Sequence, residues 1–188
     1  METVLRETKR INLDGRKIRT RVLEERAFEW DEEYGEWVAI EISLNYFAIC
    51  KKTNAVYYFG EWSRDCEEGF DEDDFCEEGE SNEGSWEAGV DGAMPGLMMP
   101  GTPLLGAKYF QEIAPPDALD RGEIAAMGLV WENEEDEFTD CILIYDTNSA
   151  KGECEEDDPK IYCPGIGLVQ DQDLELVSFG YVDDDDDE

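Results

Sequence analysis

The sequence predicts an all-β protein: an antiparallel meander forming a barrel or half-barrel, with a long Gly/Pro-rich covering loop. Three observations lead there. Helical periodicity is almost absent from the 188 residues, alternating or continuous apolar runs recur along the chain, and turn dipeptides separate them. The length suits one β-rich domain over residues 1–182, followed by an acidic tail at 183–188. With 41% apolar residues the chain is expected to fold despite its charge.

The elements follow in order. TVLRETKRINL and RKIRTRVLEER flank Asp14-Gly15, a dipeptide suited to the positive φ angles of a tight hairpin. A turn around Glu32–Gly35 leads to EWVAIEISLNYFAIC, and a further turn at Lys51–Asn54 leads to AVYYFGEW, so residues 2–62 read as about four strands. Residues 63–83 read as a long loop, since ten of the sixteen residues from Asp65 to Glu80 are acidic. Residues 84–119 are dominated by Gly and Pro and read as the covering loop. Met94, Leu97, Met98, Met99, Leu104 and Leu105 on it are expected to pack over the sheet, or to form an apolar lid or partner contact. Strands return as EIAAMGLVWE and EFTDCILIYDT, joined at Asn133–Asp136, and then as KIYCPGIGLVQD and LELVSFGYV.

Charge excludes several functions. Fifty acidic and 15 basic residues, with no histidine, leave a net charge of −35. Such a surface repels nucleic acid and anionic membranes. No apolar run reaches membrane-spanning length. Without histidine there is no Ser-His or Cys-His nucleophile, and no catalytic residue is predicted. The basic residues are unevenly placed: eight lie in residues 1–26, which carry a net of +3, while residues 27–188 carry −38. This asymmetry is satisfied either within the fold or between copies through the basic 1–26 segment.

Six cysteines without C-x-x-C spacing are expected to form disulfides in an exported protein whose leader is not part of this chain. A hairpin symmetric about Gly152 would set Cys141 opposite Cys163. Cys66–Cys76 would close the acidic loop, leaving Cys50 with Cys154. Two carboxylate clusters, Asp71, Glu72, Asp73, Asp74 and Glu155, Glu156, Asp157, Asp158, are candidate calcium ligands by composition, though neither has an EF-hand register. No other cofactor is expected.

NYFAIC (45–50), YYFGEW (57–62), GSWEAGVDGAMPG (84–96), YFQEIAPPDALDR (109–121), FTDC (138–141) and KIYCPGIGLV (160–169) together resemble the TapB-like group of exported bacterial β proteins. Many of these are lipoproteins, and the group has no established biochemical function. The resemblance implies export and a β architecture related to half-barrel lipoprotein carriers, and it assigns no catalytic residue. This chain departs from the pattern in its two-cysteine acidic loop and in Pro116, where glycine is usual. The function expected is that of a non-enzymatic exported binding module stabilised by salt or calcium. The alternatives are a structural subunit of a cell-surface or extracellular assembly, and a carrier of a small apolar ligand such as a lipid.

Overall fold

A computed structural model describes the chain except residues 33–34, 72, 77–78, 149–157 and 182–188. The described residues contain strands and turns and no helix. Thirteen strands fall into two open antiparallel sheets, neither of which closes on itself. The all-β antiparallel expectation therefore holds: there is no closed barrel, and two sheets in two compact units are consistent with the half-barrel-like meander. Unit one comprises Met1–Thr102 and Phe110–Arg121, with Asn148; unit two comprises Pro103–Tyr109, Gly122–Thr147 and, of the later residues, 158–181.

In unit one the order is β1 (Glu2–Leu13), β2 (Arg16–Asp31), β3 (Glu36–Ile49) and β4 (Val56–Phe70), with β5 (Glu80–Ser81), β6 (Trp86–Glu87) and β7 (Gly96–Met99) all pairing β4. Asp14 and Gly15 take φ of 49° and 79°, the two positive angles a two-residue hairpin turn needs. Alternation then separates the faces. Ile11, Thr20 and Val22 are buried, while Thr8, Arg10, Lys17, Arg19 and Arg21 are exposed. The core of this unit gathers Ile11, Val22, Tyr46, Tyr58, Phe59 and Trp86.

Two expectations are corrected here. The strand read as ending at Trp62 runs to Phe70, because Cys66 and Phe70 bury themselves with Ala39, Ile42 and Cys76 in a second small core. The Gly/Pro-rich stretch is not simply a loop: its residues 96–99 form a strand on β4. Gly96 makes that docking feasible, since a Cβ there would stand 1.8 Å from the Gln111 carbonyl oxygen. Gly60 serves β6 in the same way: its φ is +132°, and a Cβ would lie 2.3 Å from the Trp86 carbonyl oxygen.

In unit two, save the end residues Phe110, Asp120, Arg121 and Asn148, β8 (Lys108–Phe110), β9 (Asp120–Glu132), β10 (Glu137–Asn148), β11 (Asp158–Cys163), β12 (Gly167–Asp171) and β13 (Leu174–Glu175) follow one another across the second sheet. KIYCPGIGLVQD is a hairpin turning at Pro164–Ile166. LELVSFGYV supplies only a two-residue strand. Cys141, Cys163, Trp131 and Val169 form the buried centre of this unit.

Candidate functional site

Strand register builds one unusual surface. Across β2, β3 and β4 the rows Leu23–Asn45–Glu61, Glu25–Ser43–Ser63 and Ala27–Glu41–Asp65 lie side by side. Residues two apart on a strand point to the same side, so these nine share one face of the sheet. Four are acids, three are small polar residues, and only Leu23 and Ala27 are apolar. A sheet face of this composition would ordinarily stand in water, yet Ser43, Asn45 and Ser63 are all buried.

The cover is supplied by unit one itself. The Ser85 hydroxyl accepts a hydrogen bond from the Ser63 N–H at 2.9 Å and donates to the Ser63 carbonyl at 3.2 Å. Trp86 pairs with Glu61 through the β6–β4 ladder, and its indole N–H donates to Glu112 Oε1 at 3.4 Å. Glu112 is only 9% exposed, hydrogen-bonds with Asp120 and feels the charge of Glu61. Burial, reinforced by these neighbouring carboxylates, pushes the Glu112 carboxyl far above the ordinary range. Glu61 is pushed up to about 7, first by burial and then by Glu41, Glu25 and Asp120, with the Tyr58 hydrogen bond opposing the shift.

The Tyr58 hydroxyl lies 2.8 Å from Glu61 Oε2 and also within hydrogen-bonding reach of Asn45 Oδ1, while Asn45 Nδ2 donates to Ser43 Oγ at 3.1 Å. A phenol has one proton to give. It goes to Glu61 Oε2 or to Asn45 Oδ1, and donation to Glu61 favours the charged carboxylate and so opposes the upward shift. Burial and the nearby carboxylates Glu61 and Glu112 hold the phenol itself neutral. Burial thus shifts the inner carboxyls toward their protonated forms.

The outer acids are more open. Burial raises Glu41, followed by Glu25 and Asp65, while Ser63 opposes the shift. Burial and then Glu83 raise Asp65. No Lys or Arg forms an ion pair with Glu25, Glu41, Glu61, Asp65 or Glu112 among the described residues.

Arg26 shows the contrast on the opposite face, where it grips Asp74 through both oxygens, at 2.7 and 2.9 Å, and Glu24 at 3.0 Å. Arg64 joins it, bonding Glu80 at 2.7 Å and the Asp74 carbonyl at 3.0 Å. These contacts and the Cys66–Cys76 disulfide fasten the acidic loop down.

The residues singled out by sequence fare differently. Cys66–Cys76 and Cys141–Cys163 are both bonded. Cys50 bonds no cysteine among the described residues, and Cys154 lies outside them. Asp71 Oδ1 accepts the N–H groups of Asp73 and Phe75, and Asp74 is held by Arg26, so both carboxylates are engaged in shaping the loop. Glu72, Glu155, Glu156 and Asp157 lie outside the described residues. Asp158 stands in β11, opposite Asp146. Among the described residues no three Cys, Asp or Glu side chains converge to hold a metal ion. Leu97, Met98 and Met99 lie in β7, with Met98 packed against the first core, whereas Met94, Leu104 and Leu105 are exposed.

Sequence reasoning did not single out Glu61, Glu112, Asp120 or Asn45. One signal pointed toward Glu112: it is the first acid after Asp91, in a stretch otherwise apolar or neutral apart from Lys108.

Unit two holds a smaller polar cluster. Lys160 stands 3.4 Å from both Asp146 and Asp171, whose charges offset its burial. Tyr109 lies close enough to Asp146 for burial and that carboxylate to raise its pKa.

Fold and site together define a disulfide-stapled antiparallel β protein with a covered acidic face, and two disulfides fit an oxidising compartment. No family model matches this chain, and neither a curated protein nor a solved structure matches it.

Proposed function

We propose that the chain is an exported binding module whose ligand is cationic and lies along the acidic face of the first sheet. One observation carries this reading: Glu25, Glu41, Glu61 and Asp65 share a face on which no basic side chain neutralises them among the described residues. Their spacing argues for an extended ligand over a single ion. Neighbouring strands stand about 4.8 Å apart and alternate residues about 6.7 Å apart, whereas calcium draws its oxygens to about 2.4 Å from one point. A polyamine or a basic peptide, with charges set along a chain, suits that pattern. The module acts by binding and release, with the inner acids exchanging protons as the outer acids gain or lose a cation.

The test is calorimetric titration of the oxidised protein with spermine, with calcium and magnesium as parallel arms at matched ionic strength. Saturable spermine binding that weakens with salt and is lost in E41Q/D65N supports the reading. Absence of spermine binding sinks it. A saturable response to calcium alone, abolished by D71N/D74N, would place the ligand in the acidic loop instead.

A further inference from the structure

Strand β2 carries opposite charges at its two ends. At its start Arg19 lies directly opposite Arg10 of β1, and Thr8–Arg21 and Asn12–Lys17 are the neighbouring rows on the same exposed face. Arg10, Lys17, Arg19 and Arg21 form no ion pair among the described residues, in a protein with 50 acids to choose from. At its far end Asp31 lies directly opposite Glu36 of β3, and Glu29 and Glu32 are exposed beside them. Like charges placed directly opposite destabilise a sheet, and this ribbon carries such a pair of each sign.

The acidic end also presents aromatic rings. Trp30 and Trp37 are cross-strand partners packed edge to face at 5.6 Å, yet they are 48% and 65% exposed, and Phe28 beside them is 42% exposed. The rings and the carboxylates occupy opposite sides of this hairpin end, because Glu29 and Asp31 alternate with Trp30 and Glu36 alternates with Trp37; Glu29, Asp31 and Glu36 thus share one side, which suits planar guanidinium groups. The basic end of this same chain offers three arginines and a lysine on one flat ribbon. Arg19 and Trp30 are eleven residues apart on one strand, a separation of about 36 Å by strand rise, so the two surfaces cannot meet within one copy.

We propose that the Arg10/Lys17/Arg19/Arg21 ribbon of one copy docks on the Glu29/Asp31/Glu36 side of the β2–β3 hairpin end of a second copy, head to tail. Such a contact joins two different patches and leaves one of each free, so association grows as an open chain unless its rotation closes a ring. The large like charge of the two copies opposes it only over distances that physiological salt screens, because the Debye length there is about 8 Å. The contact uses the two ends of β2 and none of Glu41, Glu61 or Asp65, so it stands apart from the ligand reading above.

Sedimentation velocity on the oxidised full chain tests this at about 0.15 M and about 1 M salt, where the screening length falls from about 8 Å to about 3 Å. The wild type is expected to form species larger than a dimer at the lower salt as concentration rises, and to dissociate at the higher. R19E/R21E and E29K/E36K should each be monomeric alone and should associate when mixed, since each variant then offers the sign that the other lacks. Both variants keep the sheet paired, because R19E sets opposite charges across the Arg10 row and E36K does the same across the Asp31 row. A wild type that stays monomeric at about 0.15 M salt overturns the proposal. So does association that survives both charge reversals, which would point to pairing along the β1 edge.

Discussion

The Tyr58 hydroxyl stands 2.8 Å from Glu61 Oε2, three residues further along the same strand, and the pair lies on the same side of the sheet because the β3–β4 register shifts between Asn45 and Phe47. That shift brings a phenol and a carboxyl together under Trp86 and beside Glu112. It converts one edge of the sheet face into a chain of hydrogen bonds whose proton count is set by Glu61.

Stability is expected to fall as pH rises from about 5 toward 8, the reverse of the usual carboxylate behaviour. In the unfolded chain Glu61 ionises near 4.5, and in the folded protein near 7. Below both values it is protonated in either state. Between them only the unfolded state gains by ionising, so the stabilisation is lost as pH climbs through that window. Glu112, raised for the same physical reason, extends the loss to higher pH. Urea midpoints measured across this range should drop by an amount on the order of a few kcal/mol in stability, and E61Q/E112Q should flatten the slope. A midpoint that rises steadily with pH would contradict the assignment.

Tyr58→Phe should destabilise by about 1–3 kcal/mol, because it leaves buried oxygens of Asn45 and Glu61 without their partner while adding no cavity. It should also raise the Glu61 pKa further, since the hydrogen bond from the phenol favours the charged form and opposes the effects of burial and of the neighbouring acids. Carboxyl infrared or carbon NMR titration would detect this; an unchanged Glu61 titration would show that the contact carries no energy.

Removing the Cys66–Cys76 disulfide as C66A/C76A should cost about 2–3 kcal/mol, the usual range for a short closed loop. It should also loosen the Arg26–Asp74 grip, which depends on the loop being held against the strand. Urea denaturation measures the first effect, and the salt dependence of stability measures the second. Non-reducing peptide mapping should recover Cys66–Cys76 and Cys141–Cys163.

Gly96→Ala and Gly92→Ala should separate packing from backbone strain. A Cβ at 96 collides with the Gln111 backbone, so that variant should lose several kcal/mol, about 3 or more, or fail to dock β7. At 92 nothing lies within 4 Å and only the positive φ of 88° is strained, so the loss should stay near 1 kcal/mol. Thermal melts of both variants would decide; equal losses would refute the distinction.

Much of the ladder was legible in the residues themselves. Asp14-Gly15 marks the first hairpin because few other dipeptides tolerate two positive φ angles, and Asn133–Asp136 marks the β9–β10 turn, where the Asn133 side chain accepts the N–H groups of Glu135 and Asp136. The partnership of Cys141 with Cys163 followed from hairpin symmetry, and the ladder places Ile142 opposite Tyr162, one residue further in. Where charge density masked apolar anchors, the reading failed: β4 passes through the acidic stretch because Cys66 and Phe70 bury on one side of it. Glycines in residues 84–119 spelled loop, yet Gly96 is there to let a strand approach another backbone closely.

The sequence by itself determined the fold class, the early hairpins, both bonded cystine pairs and the excess of negative charge, because each rests on local alternation, turn chemistry or composition. Only the tertiary structure decided which acids matter. Glu61, Glu112 and Asp120 come from segments about fifty residues apart, and their proton affinity depends on the water excluded when Trp86 and the chain around Glu112 close over the sheet. Desolvation is a property of the assembled surroundings, and no spacing along the chain encodes it.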